Sequence, residues 1–174
     1  MTAASDIAAI ADEGNNTPED VRTALTSVLA VAELGNFGAS IYDSSGTSQT
    51  ITTATTTTVT FDTERRDDRG DVANLANNRV DIPLDGWYSI VGGVRWGTIG
   101  SGAASVRFYK NGSLLKMIQL PAAAATGAYM TLTATEYLAD GDYIDLRVNQ
   151  SSGSDASVLT GSSYESYLDI AAMF

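Results

Sequence analysis

From Val59 to the end of the chain, strands and turns follow one another, and in the strands apolar side chains recur at every second position, a period of two that constrains the fold more than any other feature. Successive side chains of a strand point to opposite faces, so the pattern makes one face for a core and leaves the other for a different environment. The plainest stretch is IPLDGWYSIVGGVRW, residues 82–96. Tyr88, Ile90, Val94 and Trp96 share one face, with Gly92 leaving a gap in the row, and Trp87, Ser89, Val91, Gly93 and Arg95 share the other. That second set is mixed enough to meet another sheet, a neighbouring subunit or partly ordered solvent.

The alternation repeats downstream. Val106 and Phe108 alternate with Arg107 and Tyr109, and Lys110-Asn111-Gly112 then supplies a hairpin signal, because Asn and Gly accept the positive φ angles of a two-residue turn. Met130, Leu132 and Ala134 line the next strand; Ala139-Asp140-Gly141-Asp142 turns it; Ile144, Leu146 and Val148 return. In the closing segment Leu168 and Ile170 point inward between Tyr167 and Asp169. About eight to ten strands joined by short turns predict an antiparallel β-sandwich or barrel.

Upstream the pattern differs. Thr17-Pro18-Glu19-Asp20 reads as a helix start, with a capping hydroxyl, a proline suited to the first turn and acids that complement the dipole; Gly35 is the stop. Val21, Leu25, Val28, Leu29 and Ala32 recur at helical spacing and form a stripe that must pack against something, and Ile7 and Ile10 suggest a shorter turn before it. The helix either caps the domain or serves as an attachment arm, and Val21, Leu25, Val28 and Leu29 are the candidate docking residues of such an arm. The expected division is an arm over residues 1–38 and a β domain over 39–174. Between them and the regular strands, nine threonines lie within residues 47–60, with Ile51 and Val59 as the large apolar side chains and Phe61 just beyond. Such β-branched polar runs favour strands, and a solvated edge pair explains this one better than a glycan-binding surface does.

Composition removes most chemistry. There is no cysteine and no histidine, which excludes disulfides, thiolate nucleophiles, imidazole bases and ordinary zinc or copper sites. A formal charge of −11 repels a phosphate backbone, so nucleic acid is not an expected partner. No stretch of about 20 apolar residues is present for a membrane span. The N-terminus has no basic region and carries Asp6 and Asp12 where a secretion signal would be apolar, so the expectation is a chain made in a cytoplasm that stays soluble or joins an assembly.

Catalytic readings fare badly. The chain has no G-x-S-x-G and no S-x-x-K, and Glu165 and Asp169 on one strand define no cleft for a carboxylate pair, which leaves polysaccharide cleavage a remote reading. GTIGSGAAS, residues 97–105, lacks the Lys-Ser/Thr ending of a phosphate loop. Arg69-Gly70-Asp71 matches an integrin-recognised tripeptide, a match short enough to arise by chance. Asp67, Asp68 and Asp71 are calcium-capable oxygens, yet Arg65, Arg66 and Arg69 beside them favour salt bridges instead. The residues call for no metal and no cofactor.

FDTERRDDRGDVANLANNRVDIPLDGWYSI resembles the stretch of C1q-like and tumour-necrosis-factor-like jelly rolls in which a strand ending in Phe-Asp leads into a long loop and then a Phe-x-x-Pro-x-x-Gly-x-Tyr segment. Phe61, Asp62, Pro83, Gly86 and Tyr88 fit the outline. So do the Lys-Asn-Gly hairpin at 110–112, the turn at Leu138, Gly141 and Asp142, and a closing strand from Tyr164, where this chain has Tyr164 and Tyr167 in place of the usual Phe. The similarity covers residues 56–174. It implies a jelly-roll sandwich and a homotrimer about a threefold axis. Trp87, Tyr109, Tyr129, Tyr143 and Tyr167, all out of phase with the inward residues, are then candidates for the trimer interface, with sugar stacking as the other use of exposed rings. In a cysteine-free chain rich in Thr, Ser, Gly and Ala with a leading helix, the same fold looks most like a bacteriophage virion protein. The implied role is capsid decoration or a head fibre docked on the major capsid protein or another virion protein; the alternative is a tail-fibre or baseplate module that recognises a host-surface glycan.

Overall fold

The structure is a computed structural model that describes residues 17–35, 37–161 and 166–173, the side chains of 30–35 excepted. The predicted roles of Ile7, Ile10, Tyr164 and Glu165, and of the Ala32 side chain, lie outside these residues. The chain opens with helix α1 (Pro18–Gly35). Its start is as read from the sequence: the Asp20 N–H donates to Thr17 Oγ1 at 3.2 Å and the Thr17 N–H donates to Asp20 Oδ2 at 2.8 Å, a reciprocal cap that satisfies two backbone donors.

Thirteen strands follow among the described residues, nine of four or more residues and four shorter. They are β1 (Gly38–Tyr42), β2 (Gln49–Ile51), β3 (Thr57–Thr58), β4 (Thr63–Asp67), β5 (Ala73–Asn74), β6 (Arg79–Asp81) and β7 (Gly86–Trp96). After them come β8 (Ala103–Lys110), β9 (Ser113–Pro121), the one-turn helix α2 (Ala122–Ala125), β10 (Tyr129–Leu138), β11 (Tyr143–Gln150), β12 (Ala156–Leu159) and β13 (Tyr167–Met173). All pairings are antiparallel. The first sheet runs β4-β1-β13-β7-β10, with β12 taking over the edge of β7 beyond β13 and β2 beside β12. The second runs β5-β6-β11-β8-β9, with β3 also on β11. Strands distant in sequence lie side by side, the crossed connectivity of a jelly roll, and the two sheets make a sandwich.

The inward residues predicted by the alternation form its core. Tyr88, Ile90, Val94 and Trp96 are buried, as are Val106, Phe108, Ile144, Leu146, Val148, Leu168 and Ile170. The gap at Gly92 is filled from the facing sheet: a Cβ there would lie 2.8 Å from Cε1 of Phe108. Close packing of this kind leaves no room for one extra methyl without displacement.

The two predicted turns bind each other. Asn111 and Gly112 take φ of 52° and 78°, closing the β8–β9 hairpin. Asn111 donates to Asp142 Oδ1 at 2.6 Å and accepts the Tyr143 N–H at 2.9 Å, while Asp142 Oδ2 accepts from the Ala139 N–H at 2.8 Å and pairs with Lys110 at 3.0 Å. Burial works against the charged form of Asp142, but these donors outweigh it and hold the carboxyl below its ordinary range. The Tyr88 hydroxyl donates to the Leu84 carbonyl at 2.7 Å and fixes the segment that enters β7.

The threonine run departs from expectation. It contributes only β2 and β3, which lie in different sheets and do not pair with each other. With few large apolar side chains to anchor it, the run carries the chain from one sheet to the other; Ile51 and Val59 are buried at either side of a turn in which Ala54 has a φ of 59°. Phe61 likewise lies beyond the end of β3, buried, its N–H donating to Asn78 Oδ1 at 2.7 Å.

The loop after β4 is ordered by backbone donors that converge on one carboxylate. Asp67 Oδ1 accepts from the N–H groups of Arg69 and Gly70, and Oδ2 from those of Val72 and Ala73, at 3.1, 2.7, 2.9 and 2.8 Å. Burial disfavours its charge, yet the four backbone donors prevail and its carboxyl titrates below the usual range. Asp68 pairs with Arg66, the salt bridge the sequence suggested. Arg69-Gly70-Asp71 sits in the turn that Asp67 organises.

Candidate functional site

Four of the six large apolar side chains that the described strands expose lie on the outer face of the first sheet. Registers place its residues in rows that cross the strands. Tyr42 lies beside Tyr167, Tyr167 beside Gly93, and Gly93 beside Thr131. The next row is Ser40, Asp169, Val91 and Thr133, and the one after it Gly38, Ala171, Ser89 and Thr135. Met173, Trp87 and Tyr137 close the far end.

Aromatic rings occupy both ends. Tyr129 and Tyr167 stack at 6.3 Å with an interplanar angle of 23°, and they do so across Gly93. Trp87 and Tyr137 meet edge to face at 5.8 Å. Trp87 is 56% exposed, a large value for an indole in a regular strand, and Tyr129, Tyr137 and Met173 are also exposed. Between the ends runs a shallow groove of about 470 Å³ lined by Ser40, Arg65, Arg66, Ser89, Val91 and Asp169, among others. Ser40 Oγ donates to Asp169 Oδ1, Arg65 covers the Tyr42 ring at 4.4 Å, and Arg66 lies over Gly38, where a Cβ would meet its guanidinium. The middle of the face is mixed, with Val91 and Ala171 among its polar side chains, and the ends are aromatic.

The five aromatic candidates do not share one surface. Trp87, Tyr129 and Tyr167 lie on this face; Tyr109 and Tyr143 lie on the outer face of the second sheet, the opposite side of the sandwich. There Arg147 covers the Tyr109 ring at 4.1 Å and Arg79 the Tyr143 ring at 4.2 Å. Arg147 also holds the buried Asp145 carboxylate through Nε at 2.6 Å and Nη2 at 2.9 Å. These two tyrosines already have intramolecular cation–π partners.

Tyr137 and Met173 were missed by the sequence reading. The signal was available: Tyr137 continues the phase of Tyr129 along β10, and Met173 that of Tyr167 along β13. Gly93 was read only as part of a mixed face, although its missing side chain is what lets the two rings approach.

The arm candidates Val21, Leu25, Val28 and Leu29 are all exposed on α1, whereas Ala24 on the flank is buried and the helix touches the rest of the fold at β13. Asp169 is engaged by Ser40, and among the described residues no three acidic, histidine or cysteine side chains converge as metal ligands. No described helix is long and apolar enough to cross a membrane.

No protein-family model matches the sequence, and no curated protein sequence matches it. Solved structures do. An Eiger tumour necrosis factor from S. frugiperda is similar at a TM-score of 0.56 and 10% identity, covering 79% of this chain and 92% of that one. The globular domain of a zebrafish complement 1qA protein gives 0.54 and 11%, covering 80% and 98%, and murine APRIL gives 0.55 and 14%, covering 78% and 99%. At such identities the likeness is one of fold, and it establishes a C1q- and tumour-necrosis-factor-like jelly roll.

Proposed function

We propose that this chain is a non-enzymatic structural module that assembles as a homotrimer through the outer face of its first sheet and projects from the surface of a bacteriophage particle, where residues 1–38 serve as the arm that docks on a capsid or other virion protein. The observation that carries the trimer is the exposed aromatic face itself: Trp87, Tyr137 and Met173 at one end and the Tyr129–Tyr167 stack at the other, on a regular sheet whose opposite face is buried in the core. Aromatic side chains offer large apolar area at low entropic cost, and contiguous exposed patches of this kind mark interaction surfaces. A threefold contact is heterologous, so this face meets a different patch on the next copy.

The particle is supported by the sequence: an acidic, cysteine-free chain rich in small polar residues suits a soluble, mutually repelling outer surface. Its mechanism is cementing by buried contact. Gold labelling of purified particles with an antibody against residues 56–174 tests the placement. Label over the head supports decoration, label confined to the tail end supports host binding, and no label on any particle removes the virion reading.

A second reading has its own observation. The Trp87–Tyr137 pair is an edge-to-face aromatic corner open to solvent and flanked by Thr135, which is chemistry suited to stacking a sugar ring. Glycan-array binding that is abolished by Trp87→Ala would favour a receptor-binding module over a cement protein.

A further inference from the structure

Helix α1 carries an apolar stripe that the jelly roll leaves uncovered. Val21, Leu25, Val28 and Leu29 are 42%, 57%, 41% and 60% exposed. At about 100° per residue these four lie on one side of the helix, and Ala24, the buried position, lies on its flank. The helix is thus anchored along one flank with the stripe free.

We propose that the stripe is covered by the same stripe of two further copies of this chain, in a parallel three-helix bundle beside the jelly-roll trimer. The proposal rests on the trimer reading given above and names what the helix contributes to it. Three features select this occupant. The spacing from Val21 to Leu25 to Val28 is four then three, which matches one step of a coiled-coil seam, and Leu29 widens the stripe on one side. The order of those intervals fixes Leu25 at an a position and Val21 and Val28 at d positions, and Leu at a with a β-branched residue at d favours three or four strands over two. The helix is also continuous with the face assigned to the protomer contact. The Ala172 N–H donates to the Phe37 carbonyl at 3.1 Å, which ties the chain just after α1 to the end of β13, where Met173 stands opposite Trp87. Copies joined through that face bring their helices together. A helix of 18 residues, about 27 Å long, gains little stability alone and much from such packing. A docking partner would then meet the outside of the bundle.

The chain has no cysteine, so one introduced thiol reports a single position. Leu25→Cys and, on the opposite side of the helix, Thr23→Cys are made in the full chain, and both positions are exposed in the single chain, so neither change disturbs the jelly-roll core. Each variant is sized by light scattering and then treated with a mild oxidant. The proposal expects trimers of both, with most Leu25→Cys chains captured as disulfide-linked pairs and few of the Thr23→Cys chains. Trimers in which the two variants cross-link equally would overturn the bundle and leave the jelly-roll trimer standing. A monomeric chain would overturn the trimer reading, and the bundle with it.

Discussion

Gly93 lies directly beneath the Tyr167 ring: a Cβ at this position would come within 2.8 Å of Tyr167 Cε1, and within 2.9 Å of Tyr129 Cε1 on the other side. The glycine is therefore the seat of the aromatic stack, and the stack sets the shape of one end of the face assigned to the protomer contact.

Gly93→Val consequently leaves the core intact and spoils that face. The side chain points away from the core, so far-ultraviolet circular dichroism is expected to be unchanged, with stability lowered by about 1–3 kcal/mol as the two rings are forced apart. Sedimentation should show the oligomer dissociating at concentrations where the unaltered chain stays assembled. Unchanged assembly would mean that this end of the face is not in the contact.

Asp67 holds four backbone N–H groups, and its replacement leaves them without an acceptor. Asp67→Ala is expected to cost about 2 kcal/mol in urea unfolding at pH 7, with Asp67→Asn intermediate because one oxygen survives. The sign of the pH dependence follows from a carboxyl depressed in the folded state: its contribution is complete above the unfolded value, about 3.9, and is lost as pH falls through the folded one. The difference between the unaltered chain and Asp67→Ala should therefore shrink on acidification below pH 4.

Tyr88 supplies the opposite limit. Its phenol is wholly buried, and burial pushes its pKa from 10.0 up to about 12. Stability from the neutral phenol is complete below pH 10 and is lost as pH rises through about 12, so Tyr88→Phe should remove that alkaline loss. At neutral pH the same variant leaves the Leu84 carbonyl without its donor, at a cost of about 1–2 kcal/mol. Unfolding midpoints of both chains at pH 7 and at pH 11 test the two effects together.

Filling Gly92 tests the core in the same way. Gly92→Ala places a methyl against the Phe108 ring and is expected to lower stability by about 1–3 kcal/mol, with the oligomer unaffected because the residue faces inward. Thermal unfolding followed with light scattering separates this outcome from that of Gly93→Val one position along.

The strands were legible because period-two alternation is a local signal, and the hairpin at Asn111-Gly112 because positive φ selects those residue types. The threonine run misled because its β-branched composition speaks for extended chain without saying which strand it joins. Asp67 was misread for a related reason: its partners are backbone N–H groups, which no side-chain pattern reveals. Trp87, Tyr129 and Tyr167 could be placed out of phase with the core from sequence, but their separation from Tyr109 and Tyr143 depends on which sheet each strand enters. That is a property of long-range pairing, and no local pattern encodes it. The helix stripe was legible as a surface needing a partner, because helical spacing is a local signal too.

The central claim is that the aromatic face of the first sheet joins three copies of the chain. The most direct measurement is the mass of the full chain by sedimentation equilibrium, alongside a Trp87→Ala/Tyr129→Ala double variant. The account predicts three times the 18.2 kDa chain mass for the unaltered protein and a shift toward the single-chain mass for the variant. A folded protein that sediments at 18.2 kDa across the micromolar range would contradict it.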